Sequence, residues 1–504
     1  LIEAAMTNRT IRVSKQQKDG PTISDPKATS ACAAKVDEIR DDFKSWLRSR
    51  MESAPELAKE IEETYNNIFN NSAPMTIPDE YIPEYFDGAA RVIGGKSVKM
   101  REHQAKAIVR GTMQSLMLAH EVGTGKTFTL ITTAMEMRRL GTAKKPMIVV
   151  QNATLGQFVA SAKALYPDAR ILSLEDKDRN AEGRKDFYAK IRYNDWDMVV
   201  IPQSVLERIP DHPDRERRFI EESIQEKMDV IEAMSKDREA GRAVAALKKD
   251  VENLRDQLNK LSNTETAEGE VTERVMVTSG SKPKKDGKRA AIAKENAKTR
   301  AEEMLNRATD DTLNFDDLGV DAILVDEAHE YKHLGFATAM QRGVKGVDPS
   351  YSKKCQGLYL KVKAVQEKSG GRNVIFATGT PISNTAAEVW TFMRYLLPRE
   401  VMEGHNIWHF DDFVRNFGSI QQMLEFTTQG TYKENNRFAG YSNLPELARI
   451  WAGITDTVLT AEAGEVKSQI PELEGGQPTD LYLPQTNGLR AVLKFVRAQL
   501  KAYD

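Results

Sequence analysis

Residues 116–127 read Leu116-Met117-Leu118-Ala119-His120-Glu121-Val122-Gly123-Thr124-Gly125-Lys126-Thr127, and this stretch decides the fold. Four apolar residues running into a polar, glycine-bearing turn predict a buried strand that ends abruptly. Beyond the turn, Phe128, Ile131, Ala134 and Met135 share one face of a helix, and Gly141 stands where its C-cap would fall. Strand, glycine loop and helix in that order form the context a phosphate-binding loop needs. Gly123 and Gly125 would let backbone amides, with that of Thr124, turn toward the β- and γ-phosphates of a nucleotide, and the helix N-terminus would add its dipole. Lys126 would bridge phosphate oxygens and the Thr127 hydroxyl would ligate Mg²⁺. The match is imperfect at one position, because His120 stands where the general phosphate-loop pattern has glycine.

Two downstream segments complete the reading. Ala322-Ile323-Leu324-Val325 predicts a buried strand, followed by Asp326-Glu327-Ala328-His329. An acidic pair at a strand's C-terminal end lies where open α/β sheets bind ligands. There Asp326 could hold Mg²⁺ through water and Glu327 could orient or deprotonate an attacking water. The third segment is Ala377-Thr378-Gly379-Thr380-Pro381-Ile382-Ser383-Asn384, about fifty residues further on, again after a strand-like run.

In this order the three segments resemble motifs I, II and III of superfamily 2 helicases and translocases. The wording of motif I, the lysine soon after the acidic motif (Lys332), and Thr378 to Asn384 running into Glu388-Val389-Trp390 are similar to the Swi/Snf-like branch. In that branch a polar residue at the His120 position is ordinary. Arg101-Glu102-His103-Gln104 resembles the upstream glutamine motif, which implies that Gln104 reads the adenine edge. Residues 146–151 and 197–204 resemble motifs Ia and Ib, implying nucleic-acid backbone contacts at Gln151 and Ser204, with Gln151 and Phe158 departing from the residues usual in motif Ia. The resemblance further implies ATP and Mg²⁺ as cofactors and double-stranded DNA as the polymer. It makes Lys126, Asp326, Glu327 and His329 the catalytic set, and Lys332, Thr378, Thr380 and Asn384 the elements coupling nucleotide to DNA. A narrower resemblance, over roughly 90–450, is to the large methyltransferase–helicase fusions of phages, plasmids and conjugative elements. A methyltransferase domain is therefore expected elsewhere in the native polypeptide, with a phage or mobile-element origin. No Asn/Asp-Pro-Pro-Tyr/Phe motif in this chain supports assigning methylation to it.

Composition narrows the alternatives. With 72 Lys+Arg against 74 Asp+Glu, the formal net charge of −2 excludes a globally basic nucleic-acid coat, so DNA contacts must come from a local groove. Cys32 and Cys355 lie far apart and provide neither metal-ligand spacing nor a disulfide framework, which fits a reducing cytoplasm. No apolar run is long enough for a membrane span, and the N-terminus does not read as a signal peptide. The chain starts at Leu1 and stops in a helix-like pattern, as a piece of a longer protein would.

The expected architecture is α/β: a RecA-like parallel sheet with helices on both faces, interrupted by a helical hairpin and flanked by helices. Residues 1–90 are expected to form a helical extension and strap, with Val36, Ile39, Phe43 and Trp46 burying one helix face against the motor. Residues 91–206 and 312–400 would be the two parts of lobe 1. Between them, 207–311 would be a coiled-coil insertion: Val244, Leu247, Val251, Leu254, Leu258 and Leu261 alternate at three and four residues. That hairpin could recruit a protein partner. Its basic run, 276–300, reads as a solvated loop or as a DNA-contacting arm. Residues 401–504 look like the helical segment leading toward a second lobe. Beyond Pro398 too few residues remain for that lobe and its arginine finger, so slow turnover is expected of this chain alone. His405 and His409 share a helical face without a third metal ligand. Rival readings are an ATP-gated DNA clamp or scaffold with negligible turnover, and an RNA helicase.

Overall fold

The structure is a computed structural model that describes residues 1–7, 13–15, 23–24, 26–69, 75–175, 180–234, 241–267, 313–341, 344–347, 349, 352–383, 385–426, 432–460 and 494–495. The basic run 276–300 and Asn384 lie outside the described residues. At the centre is a parallel sheet of seven strands: β1 (Leu116–His120), β2 (Pro146–Val150), β3 (Ile171–Ser173), β4 (Met198–Pro202), β5 (Ala322–Asp326), β6 (Val374–Ala377) and β7 (Thr455–Val458). Their spatial order is β7-β1-β6-β5-β2-β4-β3.

Successive strand residues face opposite sides of the sheet, and both sides are apolar, as a sheet covered by helices requires. Leu116, Leu118, Ile148, Val150, Leu324 and Ile375 point to one core. There they meet Leu130, Ile131 and Ala134 of the helix Lys126–Leu140 and Phe158 and Leu165 of the helix Leu155–Leu165. Met117, Val149, Val199, Ile323, Val325 and Phe376 point the other way. They pack on Phe187 and Ile191 (helix Ala181–Tyr193), Leu358 and Val362 (Lys353–Ser369), and Phe392 and Met393 (Ala387–Leu396). This is the RecA-like α/β lobe expected from the sequence. Gly141 caps the helix after β1 in the left-handed conformation, at φ 73°.

The insertion contains two long helices, Pro213–Met234 and Gly241–Ala267. Lys227 pairs with Asp250 at 3.4 Å, and Met234 and Leu247 bury together beside Val230 and Val244, so the helices run antiparallel. The first is rooted in the lobe. Phe219 packs on Tyr359 with ring centroids 5.7 Å apart, and Arg394 bonds Glu226 at 3.1 Å.

Two flanks differ from the sequence reading. In the helix Pro26–Ser53, Val36 is buried but Phe43 and Trp46 are exposed and stacked on each other at 5.7 Å, so the stripe is covered only at one end. Beyond Pro398, short helices are joined by an antiparallel hairpin, Gly418–Phe426 with Tyr432–Tyr441. The helix Leu444–Ile454 then leads into β7, which returns to the sheet beside β1. Four residues, three of them polar, make a strand too short and too mixed for its pattern to be visible. His405 does not stand free: its Nδ1 meets the backbone oxygen of Ile68. Among the described residues, no helix is long and apolar enough to cross a membrane.

Candidate nucleotide site

Strands β1, β6 and β5 are neighbours, so their C-terminal ends bring three segments together that are far apart in sequence. Ala377 lies in register with Asp326 on one side and Leu118 on the other. This edge is where a doubly covered parallel sheet offers a crevice to ligands.

The loop after β1 reverses through Gly123 (φ 88°) and Gly125 (φ 94°), conformations in which an L side chain is strained. The next helix begins at Lys126, so the amides of Lys126 and Thr127 have no acceptor within the helix and are available to an anion. Thr124 is buried, and its hydroxyl donates to Glu121 O at 2.7 Å, bracing the turn. Thr127 is half-buried. Lys126 is not the solvated lysine that a glycine loop suggests. Half-buried, it donates from Nζ to His120 O at 2.8 Å and to Glu121 O at 3.1 Å. Burial lowers its pKa, an effect that nearby Glu327 and Asp326 oppose.

Gln104 supports this loop from behind. Its Oε1 accepts from Arg101 N at 2.9 Å and its Nε2 donates to Gly125 O at 3.1 Å. Both amide atoms are therefore engaged with the protein itself. A Cβ at Gly125 would come within 2.5 Å of Gln104 Nε2, so a side chain at position 125 would have to displace the Gln104 amide from its bonds. His103 adds a contact from Nε2 to Thr124 O at 3.0 Å, and burial lowers its pKa.

At the end of β5 the two carboxylates differ. Burial, reinforced by the adjacent Glu327 charge, raises the Asp326 pKa to about 6. Glu327 occupies left-handed backbone at φ 51°, which a residue other than glycine adopts only when its surroundings compel it. His329 Nδ1 lies 3.2 Å from Glu327 Oε2 and 3.1 Å from Thr378 Oγ1. The Thr378 hydroxyl in turn accepts from Thr380 N at 3.1 Å. Acidic turn and post-β6 loop are thus joined through one imidazole and one hydroxyl. The loop after β6 also touches the loop after β1: the Cβ position of Gly379 lies 3.7 Å from Lys126 Nζ.

Lys332 is largely buried and bonds Ser383 Oγ at 2.5 Å and Glu388 Oε1 at 3.3 Å. Glu388, buried, also accepts from Ser383 N at 2.7 Å and Thr385 N at 3.3 Å, so it shapes the loop that leads from Thr378 and Thr380. Ser204 donates to Asn152 Oδ1 at 2.9 Å, while the Gln151 carbonyl accepts from Thr154 N at 3.2 Å. These two strand-end turns lie together, on β2 and β4, away from the loop after β1.

Sequence reasoning missed Gln203, whose Nε2 reaches Asp326 O at 3.5 Å while its Oε1 accepts from Lys354 at 2.9 Å. It stands one residue before Ser204, and its burial was the missing signal. It also missed Asp456. His120, fully buried, places Nε2 2.8 Å from Asp456 Oδ1 on β7.

The chemistry of the donors suits a divalent ion: Asp326 is a desolvated carboxylate and Thr127 offers a hydroxyl, both hard oxygen donors of the kind Mg²⁺ takes.

A family model described as a probable helicase domain matches residues 112–277 and 273–458, and one for a domain of unknown function matches 1–71. The chain is 27% identical over 194 residues to the Defense against restriction protein B of Escherichia phage P1, covering 37% of this chain and 8% of that protein. It is 36% identical over 66 residues to the Helicase SWR1 of Candida glabrata, covering 12% of this chain and 4% of that protein. It therefore spans less than a tenth of the length of either relative. The Sulfolobus solfataricus SWI2/SNF2 ATPase core in complex with double-stranded DNA aligns over 64% of this chain and 39% of that one, at 14% identity and a TM-score of 0.29.

Proposed function

The chain belongs to the probable-helicase-domain family, and from that premise we propose that it is the ATP-hydrolysing motor lobe of a double-stranded DNA translocase of the Swi/Snf-like kind. The observation that carries this reading is the convergence of Lys126, Asp326, Glu327 and Thr378 at the ends of three adjacent strands.

In this reading the amides after Gly125 and the Lys126 ammonium hold the phosphates. Thr127 and Asp326 would hold Mg²⁺, which when bound neutralises phosphate charge. Glu327 orients the attacking water and accepts its proton, with His329 fixing the carboxylate from one side. Thr378 and Thr380 carry the state of the site from His329 into the loop that Glu388 and Lys332 organise. Duplex DNA is the proposed polymer, tracked along its backbone near Gln151 and Ser204. The phage relative's similarity supports a mobile-element setting, and a methyltransferase in the native polypeptide remains part of the proposal.

Steady-state phosphate release with and without duplex DNA tests it. Glu327→Gln should abolish the DNA-stimulated rate while nucleotide binding persists. A clamp that does not turn over would show no change in the variant, and equal stimulation by single-stranded RNA would favour an RNA helicase.

A further inference from the structure

β7 is tied to the nucleotide loop by more than sheet pairing. Val458 pairs in register with His120, and Glu121 N donates to Val458 O at 3.0 Å. Two side chains of the loop then reach across: His120 Nε2 meets Asp456 Oδ1 at 2.8 Å, and the Glu121 carboxylate accepts from Thr460 N at 2.7 Å. The His120 ring lies in full burial and its Nδ1 has no hydrogen-bond partner, so the bond to Asp456 is what fixes its orientation. The ring is best satisfied as the Nε2–H tautomer donating to the carboxylate.

β7 is also held from below. The Arg110 guanidinium donates to Thr455 O and Gly453 O at 2.9 Å each and to Ala452 O, and it lies 3.7 Å from Asp456. Gln114 adds a bond to Gly453 O at 2.7 Å. A cation set against the last carbonyls of the helix Leu444–Ile454 fixes the point where the chain turns into β7. Residues 452–456 are thus anchored by Arg110 and Gln114, while the end of β7 and Thr460 are held to the loop by pairing with β1 and by Glu121.

Lys126 links that end to the nucleotide. Its Nζ donates to the carbonyls of His120 and Glu121, the same two residues whose side chains grip Asp456 and Thr460. A lysine amine has three protons, two of them held by loop carbonyls, so a phosphate that draws on more than one must take it from the loop. When Lys126 turns to a phosphate, those carbonyls lose their donor and the 120–121 peptide can shift.

We propose that His120, Glu121, Asp456 and Thr460 form a latch through which occupancy of the nucleotide loop is read by the C-terminal end of β7 and the two residues that follow it, Leu459 and Thr460. The proposal rests on the ATP-binding reading of the loop and adds to it a coupling between that loop and the edge strand β7. His120 and Asp456 are positioning residues: they orient the loop without touching the phosphates themselves.

The test is amide hydrogen exchange over 455–460 in the 504-residue chain, with and without MgADP and a non-hydrolysable MgATP analogue, and nucleotide affinity measured in parallel. Nucleotide should change exchange at Thr457 to Thr460 by about threefold or more, a local opening rather than global unfolding. Glu121→Ala removes the acceptor for Thr460 N from a partly exposed site, so folding should survive. It should abolish the nucleotide response while leaving affinity within about threefold of the original. Asp456→Asn should blunt the response, and His120→Asn in that background should not blunt it further. Unchanged exchange in a chain that binds nucleotide would overturn the latch and leave the ATP reading intact, and so would a full response in Glu121→Ala. Absence of any nucleotide binding would overturn the reading of the loop and the latch with it.

Discussion

The loop after β1 and the turn after β5 lie two strands apart at the same edge of the sheet, and both send the chain through left-handed backbone. In the loop, glycines occupy those positions, at Gly123 and Gly125. In the turn the position belongs to Glu327, the carboxylate proposed to activate water. Left-handed backbone costs an L residue roughly 1–2 kcal/mol and glycine almost nothing. The loop is thus free of strain and gains its rigidity from Gln104 and Thr124, whereas the turn stores strain at Glu327. Phosphate binding needs backbone amides, which any residue supplies, so glycine suffices there. In the proposed function water activation needs a side chain at that point, which accounts for the cost being retained.

The largest expected effects separate the chemistry of the two turns from their stability. Lys126→Ala and Glu327→Gln should each lower phosphate release by about 10²–10³-fold or more, the usual consequence of losing one charge-stabilising group. Their effects on the nucleotide-free protein should differ. Lys126→Ala loses two hydrogen bonds to loop carbonyls and should cost about 1 kcal/mol in denaturant unfolding, while Glu327→Gln should leave unfolding almost unchanged. A loss of several kcal/mol in the lysine variant would mean that the loop is held by Lys126 rather than by its glycines.

Next in size is the loop itself. Gly123 and Gly125 share left-handed backbone, but a Cβ meets nothing within 4 Å at position 123 and meets Gln104 Nε2 at 2.5 Å at position 125. Gly123→Ala should cost about 1 kcal/mol and Gly125→Ala about 2–3 kcal/mol. In a double-mutant cycle, Gln104→Ala should recover most of the difference. Equal costs at the two positions would remove Gln104 from its supporting role.

Asp326 gives the pH-dependent contrast. Its carboxyl ionises at about 6 in the folded chain against 3.8 for an ordinary aspartate, because burial and then Glu327 disfavour the charge. A raised carboxyl pKa means that the folded state holds the proton more tightly, so this contribution to stability is complete below 3.8 and is lost as pH rises through about 6. The nucleotide-free protein should therefore lose roughly 2 kcal/mol between those limits, and Asp326→Asn should flatten that part of the profile. Activity runs the other way. In the proposed function Mg²⁺ needs the carboxylate, so Mg-dependent phosphate release should fall as pH drops through about 6, less steeply at high Mg²⁺. A stability profile identical in the Asn variant would place the charge cost elsewhere.

How much of this was legible follows from where each signal resides. β1, β2, β4 and β5 are apolar runs ended by polar turns, and Gly141 marks its helix end, so strands, helix and loop could be read locally. The antiparallel hairpin was visible because Leu247 and Val251 repeat at helical spacing, while the burial of Phe43 and Trp46 was over-read from the same kind of stripe. A stripe shows that a face is apolar, not what covers it. β7 was hidden: Thr455-Asp456-Thr457-Val458 is short and polar, and the partner of Asp456 lies 336 residues away. The Gln104 amide was assigned to a base edge by resemblance. Its bond to Arg101 N is a local capping contact in the first turn of the helix Glu102–Met113, but its bond to Gly125 depends on how that helix packs against the loop, which no local pattern encodes.

The smallest expected effect tests the contrast most directly, because it isolates backbone from side chain. Glu327→Ala removes the carboxylate but keeps a Cβ at φ 51°, and Glu327→Gly removes both. The contact to His329 at 3.2 Å is lost equally in the two variants, so it cancels between them. Glycine gains about 1–2 kcal/mol from relief of the left-handed strain and gives back roughly 0.5–1 kcal/mol through the greater freedom of its unfolded chain. Glu327→Gly should therefore be the more stable of the two by about 0.5–1 kcal/mol in denaturant unfolding at neutral pH, with both inactive. The corresponding pair in the loop, native Gly123 against Gly123→Ala, should show the same sign, since both positions carry positive φ. If alanine at 327 were as stable as glycine, the turn would hold no strain, and the difference between it and the loop would lie in charge alone.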